Sequence, residues 1–189
     1  MPQFAQSPTP VHPSDVACID FVNSAFTDHL GSGGERDRIG SAEWQEWFLD
    51  RYRLTPESRV RPPLEELLAL RHDLRRILEK WSRGAALNPR DVRLLDSRIS
   101  AAPARPRLAG SGARLELAYE PLHRDWAWVL AAVAESAVEL MGTGDPRRLK
   151  TCDNPACSWM FYDATVNRSR RFCSATPCAS LMRVRRFRA

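Results

Sequence analysis

The chain has 189 residues and a net charge of +5, and its length suits one domain or one domain with a small module attached. A hydrophobic content of 43% is enough for a buried core, but the longest apolar run, 126–134, is far shorter than the ~20 residues of a membrane-spanning helix. The first residues have neither the basic start nor the apolar stretch of a secretory signal, so a cytoplasmic protein is expected.

The first part of the chain, 1–145, predicts a mostly helical domain that follows a loose arm over 1–13. Apolar residues at helical spacing predict five helices, at about 16–26, 41–49, 64–83, 88–99 and 122–141. The segments between them predict a polar loop over 31–37, a linker over 101–106 and a β-hairpin whose strands include 107–109 and 114–119. A hinge over 142–146 then leads into a second unit, 146–189.

Three polar residues lie within apolar segments of the helical domain: Asp20, Asn23 and Arg71. They are candidates for the lining of a pocket that binds a small-molecule effector. The alternative is that they satisfy one another inside the helical bundle, with Arg71 paired to Asp20. Cys18, in the same region, is expected to be a small core residue rather than a metal ligand.

The other four cysteines lie in 146–189 as two pairs, with four residues inside each pair and fifteen between the pairs: Cys152, Cys157, Cys173 and Cys178. Two short loops of this kind supply the four ligands of a structural zinc ion. The alternatives are two disulfides, a redox pair or an iron–sulfur cluster, although redox pairs and ferredoxins use other spacings. A catalytic zinc ion is not expected, because no Glu or His lies between the first cysteine and Arg188 to act as a base.

The residues around the cysteines predict a treble-clef-like arrangement of two knuckles, a hairpin and a helix. The hairpin is expected between 159–162 and a return strand through 171–172, and the second knuckle is expected to open into a C-terminal helix. The fold class is therefore mainly α, with a helical N-terminal domain that contains a small β-hairpin, followed by a four-cysteine zinc finger.

The basic charge of the chain is concentrated in the second unit. From residue 147 onward there are ten Lys/Arg against two Asp, a net charge of +8, whereas 1–146 has 18 Lys/Arg against 21 Asp/Glu, a net charge of −3. So strong a local excess is typical of a surface that binds a polyanion, although solvated basic tails are common. The residues predicted to contact nucleic acid are Arg168, Arg170, Arg171, Arg183, Arg185, Arg186 and Arg188.

Several of these motifs resemble a known family. Cys152-Asp-Asn-Pro-Ala-Cys157 and Asn167-Arg-Ser-Arg-Arg171 are similar to the CGNR zinc finger, and Ile19-Asp-Phe-Val-Asn-Ser24 is similar to the Leu-Asp-Phe-Leu-Asn-Thr of the ABATE domain that precedes this finger in bacterial proteins regarded as stress-induced transcription regulators. The resemblance implies that the four cysteines bind zinc and that the finger binds DNA. One departure is that Ala179-Ser-Leu181 follows the fourth cysteine in place of Gly-Asn-Arg, so any DNA contact of that Asn and Arg is missing here.

These observations favour a zinc-dependent, DNA-binding transcription regulator whose helical domain senses an effector or forms a homodimer. One alternative is a finger that binds RNA or single-stranded nucleic acid, with Trp159, Phe161 and Tyr162 stacking on bases. Another is a finger whose arginines bind an acidic protein. An enzyme is not expected, because the four histidines are scattered and no nucleophile–base set or carboxylate pair stands out.

Overall fold

The computed structural model describes residues 14–29, 33–57, 60–112 and 114–188, of which 111 and 186–188 are described by their backbone alone. The arm predicted over 1–13 lies outside these residues. Within them the chain forms six α-helices: α1 (Ala17–Val22), α2 (Ala42–Tyr52), α3 (Leu64–Ser82), α4 (Pro89–Ser100), α5 (Trp126–Thr143) and α6 (Ser180–Arg188). In this part of the chain, each helix is too short or too polar to cross a membrane.

The strands of the described chain form three two-stranded antiparallel sheets. The pairs are β1 (Ala25–Thr27) with β2 (Glu35–Asp37), β3 (Ala104–Ser111) with β4 (Arg114–Pro121), and β5 (Leu149–Thr151) with β6 (Met160–Tyr162). Together with the four cysteines near the C-terminus, this arrangement confirms the predicted fold class.

One hydrophobic core joins the helical part of the chain to the C-terminal unit. The short helix α1 is buried along its whole length, and it packs against α3 and α5. Leu149 of β5 and Met160 of β6 belong to the same core, although both lie in the unit that contains the cysteines. The C-terminal unit therefore packs directly against the helical part of the chain and shares its hydrophobic core.

Four predicted boundaries and one predicted strand are wrong. The first helix ends at Val22 rather than at 26, and the predicted polar loop contains β2, because residues 25–27 pair with 35–37. Strand β3 begins inside the predicted linker, and helix α5 begins at Trp126, where the Asp125 side chain caps it by accepting a hydrogen bond from the Trp128 amide. In the C-terminal unit β6 pairs with β5, so the expected return strand through 171–172 is also wrong. Strand pairing between segments, or a local cap in the case of α5, sets these limits in place of the apolar period.

Helix α4 shows how local sequence and tertiary contacts combine. It begins with the predicted cap: the Asn88 side chain accepts a hydrogen bond from the Asp91 amide, and the Asp91 carboxylate accepts one from the Asn88 amide. The Asp91 carboxylate is fully buried, and it also forms ion pairs with Arg76 and Lys80 of α3. These contacts, above all the hydrogen bond from Arg76, lower the pKa of Asp91 to about 2.

We expect Asp91→Asn to lower the free energy of unfolding by about 2 kcal/mol at neutral pH, because it weakens the cap and leaves two cations without their shared counter-ion. The pKa of Asp91 falls from 3.8 to about 2 on folding. Its stabilisation is therefore complete above about pH 4 and is lost as the pH falls towards about 2. Chemical denaturation of wild type and Asp91→Asn across this pH range should show the difference between their free energies of unfolding becoming smaller as the pH falls. Asp96→Asn, at an exposed site on the same helix, is the control. If the free energies of unfolding of wild type and Asp91→Asn differed by the same amount at every pH, the role given to the Asp91 carboxylate would be contradicted.

Candidate metal centre

Four sulfur atoms meet in the C-terminal unit. The Sγ atoms of Cys152, Cys157, Cys173 and Cys178 all lie within 4.8 Å of one another. The Sγ–Sγ distance is 3.9 Å between Cys157 and Cys173, and 3.5 Å between Cys173 and Cys178. Four sulfur atoms bonded to one tetrahedral zinc ion at ~2.3 Å lie about 3.8 Å apart, so these four thiols fit a closed structural zinc site.

The geometry shows that Cys18 lies outside the sulfur cluster and that the cysteines do not form disulfides. All five cysteines are free, so the alternative of two disulfides is wrong. Cys18 lies in the main core, as predicted, and burial raises the pKa of its thiol to about 12, which opposes the thiolate form that binds metals. Within the four-cysteine cluster, hydrogen bonds between the thiols lower the pKa of Cys152 and Cys178 and raise the pKa of Cys157 and Cys173.

The two loops that present the sulfur atoms are fixed by their own hydrogen bonds. In the first loop Asn154 is completely buried, and its side chain accepts a hydrogen bond from the Ala156 amide and donates one to the Cys178 sulfur at 3.7 Å. In the second loop the Ser174 hydroxyl accepts a hydrogen bond from the Cys178 amide. The Cys173 amide also donates to the Cys152 sulfur at 3.4 Å. Contacts of this kind orient ligands before the metal binds.

One further side chain reaches the sulfur cluster from the helical part of the chain. Nε2 of His29 lies 3.2 Å from Sγ of Cys178, and Nδ1 lies 3.2 Å from the carbonyl oxygen of Thr27. A carbonyl oxygen only accepts, so Nδ1 carries a proton and the ring is held with its other nitrogen facing the sulfur. This contact could not be predicted from the sequence, because the two residues are 149 positions apart and no local pattern links them.

Asn23 attaches the C-terminal unit to the end of α1. Its side-chain amide donates to the carbonyl oxygen of Met160 at 2.8 Å and accepts from the Met160 amide at 2.9 Å. This pair of bonds copies the pairing that a neighbouring strand would offer to β6. Ser158, two residues before Met160, makes two further contacts with the helical part of the chain. Its hydroxyl accepts a hydrogen bond from the Thr27 amide, and its carbonyl oxygen accepts one from Arg75.

The other two residues predicted to line an effector pocket have different partners. The Asp20 carboxylate is buried, and it accepts hydrogen bonds from the Tyr52 hydroxyl and the Ser14 amide. Arg71 pairs with Asp37 of β2, so the expected pairing of Arg71 with Asp20 is wrong. The carboxylate that pairs with Arg71 therefore comes from β2, a segment that was predicted to be part of a loop. Asp20, Asn23 and Arg71 thus belong to three separate sets of contacts, and the effector pocket stays a prediction.

The arginines predicted to bind nucleic acid fall into three groups. Arg170 lies over the Phe161 ring and donates to the carbonyl oxygens of Phe172 and Cys173, so it stabilises the second loop. Arg168 and Arg171 are partly exposed and form ion pairs with Asp145 and Asp153. The remaining four are on α6: Arg183 and Arg185 are exposed and have no ion-pair partner among the described residues, and the side chains of Arg186 and Arg188 lie outside the described part.

The aromatic residues proposed for base stacking are mostly enclosed. Trp159 and Phe161 are each only 5% exposed, and Trp159 packs edge-on against the Phe26 ring at a centroid distance of 5.7 Å. The Tyr162 hydroxyl accepts a hydrogen bond from the Asp145 amide. The first two rings therefore fill the small core around the cysteines, and they lack the open faces that stacking requires.

We expect Cys173→Ser to abolish stoichiometric zinc binding, because a hydroxyl is a poor substitute for a thiolate ligand. Elemental analysis of the purified protein should give one zinc ion per chain for the wild type and far less for the variant. Cys18→Ala, which removes the thiol of the core cysteine, is the matched control and should retain the metal. Equal zinc content in all three proteins would contradict the four-cysteine site.

We expect Asn23→Ala to lower the free energy of unfolding by about 2–3 kcal/mol, because it leaves the buried amide and carbonyl of Met160 without partners. Chemical denaturation of the zinc-loaded proteins measures the change. Asn167→Ala, at an exposed site in the C-terminal unit, should change stability little. If the two variants were equally stable, the contact between Asn23 and β6 would not hold the two parts together.

Comparison with protein families agrees with this geometry. Residues 148–189 match the model described as "CGNR zinc finger", and the four cysteines close together in this segment fit a zinc-binding site. Residues 15–144 match the model named ABATE and described as "Putative stress-induced transcription regulator". Neither description is that of an enzyme. A comparison with individually curated proteins gave no match. The two matches cover nearly the whole described chain, and the protein belongs to the ABATE family, with a C-terminal CGNR zinc finger.

Proposed function

We propose that this protein is a cytoplasmic, DNA-binding transcription regulator whose zinc finger presents helix α6 to the duplex. The observation that supports this most directly is the position of α6. The helix begins at Ser180, two residues after Cys178, so the zinc site fixes its first turn. Arg183 and Arg185 then lie on its exposed surface, where phosphates can reach them.

The surface charge available for DNA is smaller than the sequence suggests, and it is better localised. Arg170 is committed to the second cysteine loop, and Lys150 donates to the buried Asp163 carboxylate and to the carbonyl oxygens of residues 168 and 170. Arg168 and Arg171 keep 41% and 56% of their side chains exposed, and their ion pairs with single aspartates are weak enough to be exchanged for phosphate. The proposed contact surface is therefore α6, flanked by these two arginines.

The helical region is the proposed regulatory part, and Asn23 provides its connection to the finger. An effector that contacted Asn23 would have to displace the two hydrogen bonds to Met160. Such a ligand would loosen β6 and, through Trp159, the core around the cysteines. Asp20 and Arg71 would contribute only if the effector also displaced Tyr52 or Asp37, since these residues hold them in the present conformation.

We expect the double substitution Arg183→Ala/Arg185→Ala to weaken binding to duplex DNA by about tenfold or more at low salt, because it removes two phosphate contacts. The dependence of log affinity on log salt should become shallower by about 2. Fluorescence anisotropy of a labelled duplex over a range of salt concentrations measures both quantities.

The matched control is Arg90→Ala/Arg93→Ala, which removes the same charge from exposed positions on α4 and should leave both quantities nearly unchanged. Competition between the labelled duplex and single-stranded RNA shows which nucleic acid the protein binds more tightly. Preference for RNA, or the same affinity and salt dependence in both double variants, would contradict the proposed surface.

A further inference from the structure

The β3–β4 hairpin has one apolar face that nothing in the described chain covers. The register pairs 106 with 119, 108 with 117 and 110 with 115, and directly paired residues point to the same side of a ribbon. Because side chains alternate along each strand, these three pairs share one face. The large side chains on this face, with their exposed fractions, are Leu108 (69%), Leu115 (65%), Leu117 (60%) and Tyr119 (68%), next to the exposed ring of Pro106.

The opposite face of the hairpin is polar. It includes Arg105, Arg107 and Glu120, which form an ion-paired group, and Glu116 lies farther along the same face. The segregation is complete: all of the charged residues of the two strands lie on this side of the ribbon, from Arg105 to Arg114. A solvated hairpin would gain nothing from such a division, and a two-stranded ribbon is only marginally stable in water unless an apolar face is covered.

We propose that this apolar face, defined by Leu108, Leu115, Leu117 and Tyr119, is the interface through which two copies of the chain form a homodimer. A second copy is the occupant favoured by the chemistry of the face, which has no charged side chain to match to an oppositely charged partner. Two such faces are self-complementary when they meet about a twofold axis. The two ribbons then stack as a small four-stranded sandwich, with both polar faces turned to solvent.

The area is consistent with a dimer of moderate affinity. The exposed apolar side chains offer roughly 600 Å² per copy, so burying them in both copies removes about 1,200 Å² from solvent, the lower end for a specific protein–protein interface. A monomer rarely leaves an apolar patch of this size uncovered unless the patch is a binding site. The inference concerns assembly alone and does not depend on whether the finger binds DNA.

The test compares two lysine substitutions at adjacent positions of β4. Leu117→Lys places a charge in the centre of the apolar face, whereas Glu116→Lys places the same side chain on the polar face. Sedimentation velocity of the full zinc-loaded chain over a series of protein concentrations should show a reversible dimer for the wild type and for Glu116→Lys. Leu117→Lys should raise the dissociation constant by about tenfold or more, because the lysine cannot be solvated inside the interface.

Leu108→Lys, directly across the ribbon from Leu117, is the second variant and should act in the same way even if one substitution disturbs the hairpin. Zinc content and the unfolding midpoint of each protein report whether it is folded. A wild type that stays monomeric at every concentration would overturn the proposal and leave the face to a different partner. Dimerisation that survives both leucine substitutions, or that Glu116→Lys abolishes equally, would also overturn it.

Discussion

The close approach of four cysteine sulfur atoms, which fits one zinc ion, is the feature on which the C-terminal unit most depends. A segment of this size cannot bury enough apolar surface to fold by itself, and the core around the cysteines consists mainly of the Trp159 and Phe161 rings, with the Phe26 ring of the helical region packed against it. A zinc ion stabilises four thiols that lie this close together, because it displaces their protons and binds the four sulfur atoms. A zinc ion bound to the four cysteines would fix both the loop between the first two cysteines and the start of α6.

The finger is also held from outside by the helical region. Leu149 and Met160 pack into the main core, Asn23 forms two hydrogen bonds with β6, and His29 approaches the Cys178 sulfur. These contacts join elements at opposite ends of the chain, so we expect zinc bound at the four cysteines to stabilise the packing of α1 as well. Packing and hydrogen bonds therefore connect the helical region to the unit that contains the four cysteines and α6.

Local sequence patterns could predict a large part of this fold. The cysteine spacing predicted the metal site, Asn88 and Pro89 predicted the start of α4, and the glycines near 110 predicted the hairpin. The contacts of Asn23, His29 and Arg71 could not be predicted, because their partners depend on how distant segments pack. The role of Arg170 was missed for a related reason: in a sequence, an arginine that binds carbonyl oxygens cannot be told from one that faces solvent.

The account depends most on the claim that the metal holds the finger in the form that engages DNA. The most direct measurement is duplex binding by the full chain in its zinc-loaded state, after removal of zinc with a chelator, and after zinc is restored. The account predicts salt-sensitive binding that disappears with the metal and returns when zinc is added back. Binding that is unchanged by chelation, in a protein shown by elemental analysis to have lost its zinc, would contradict it.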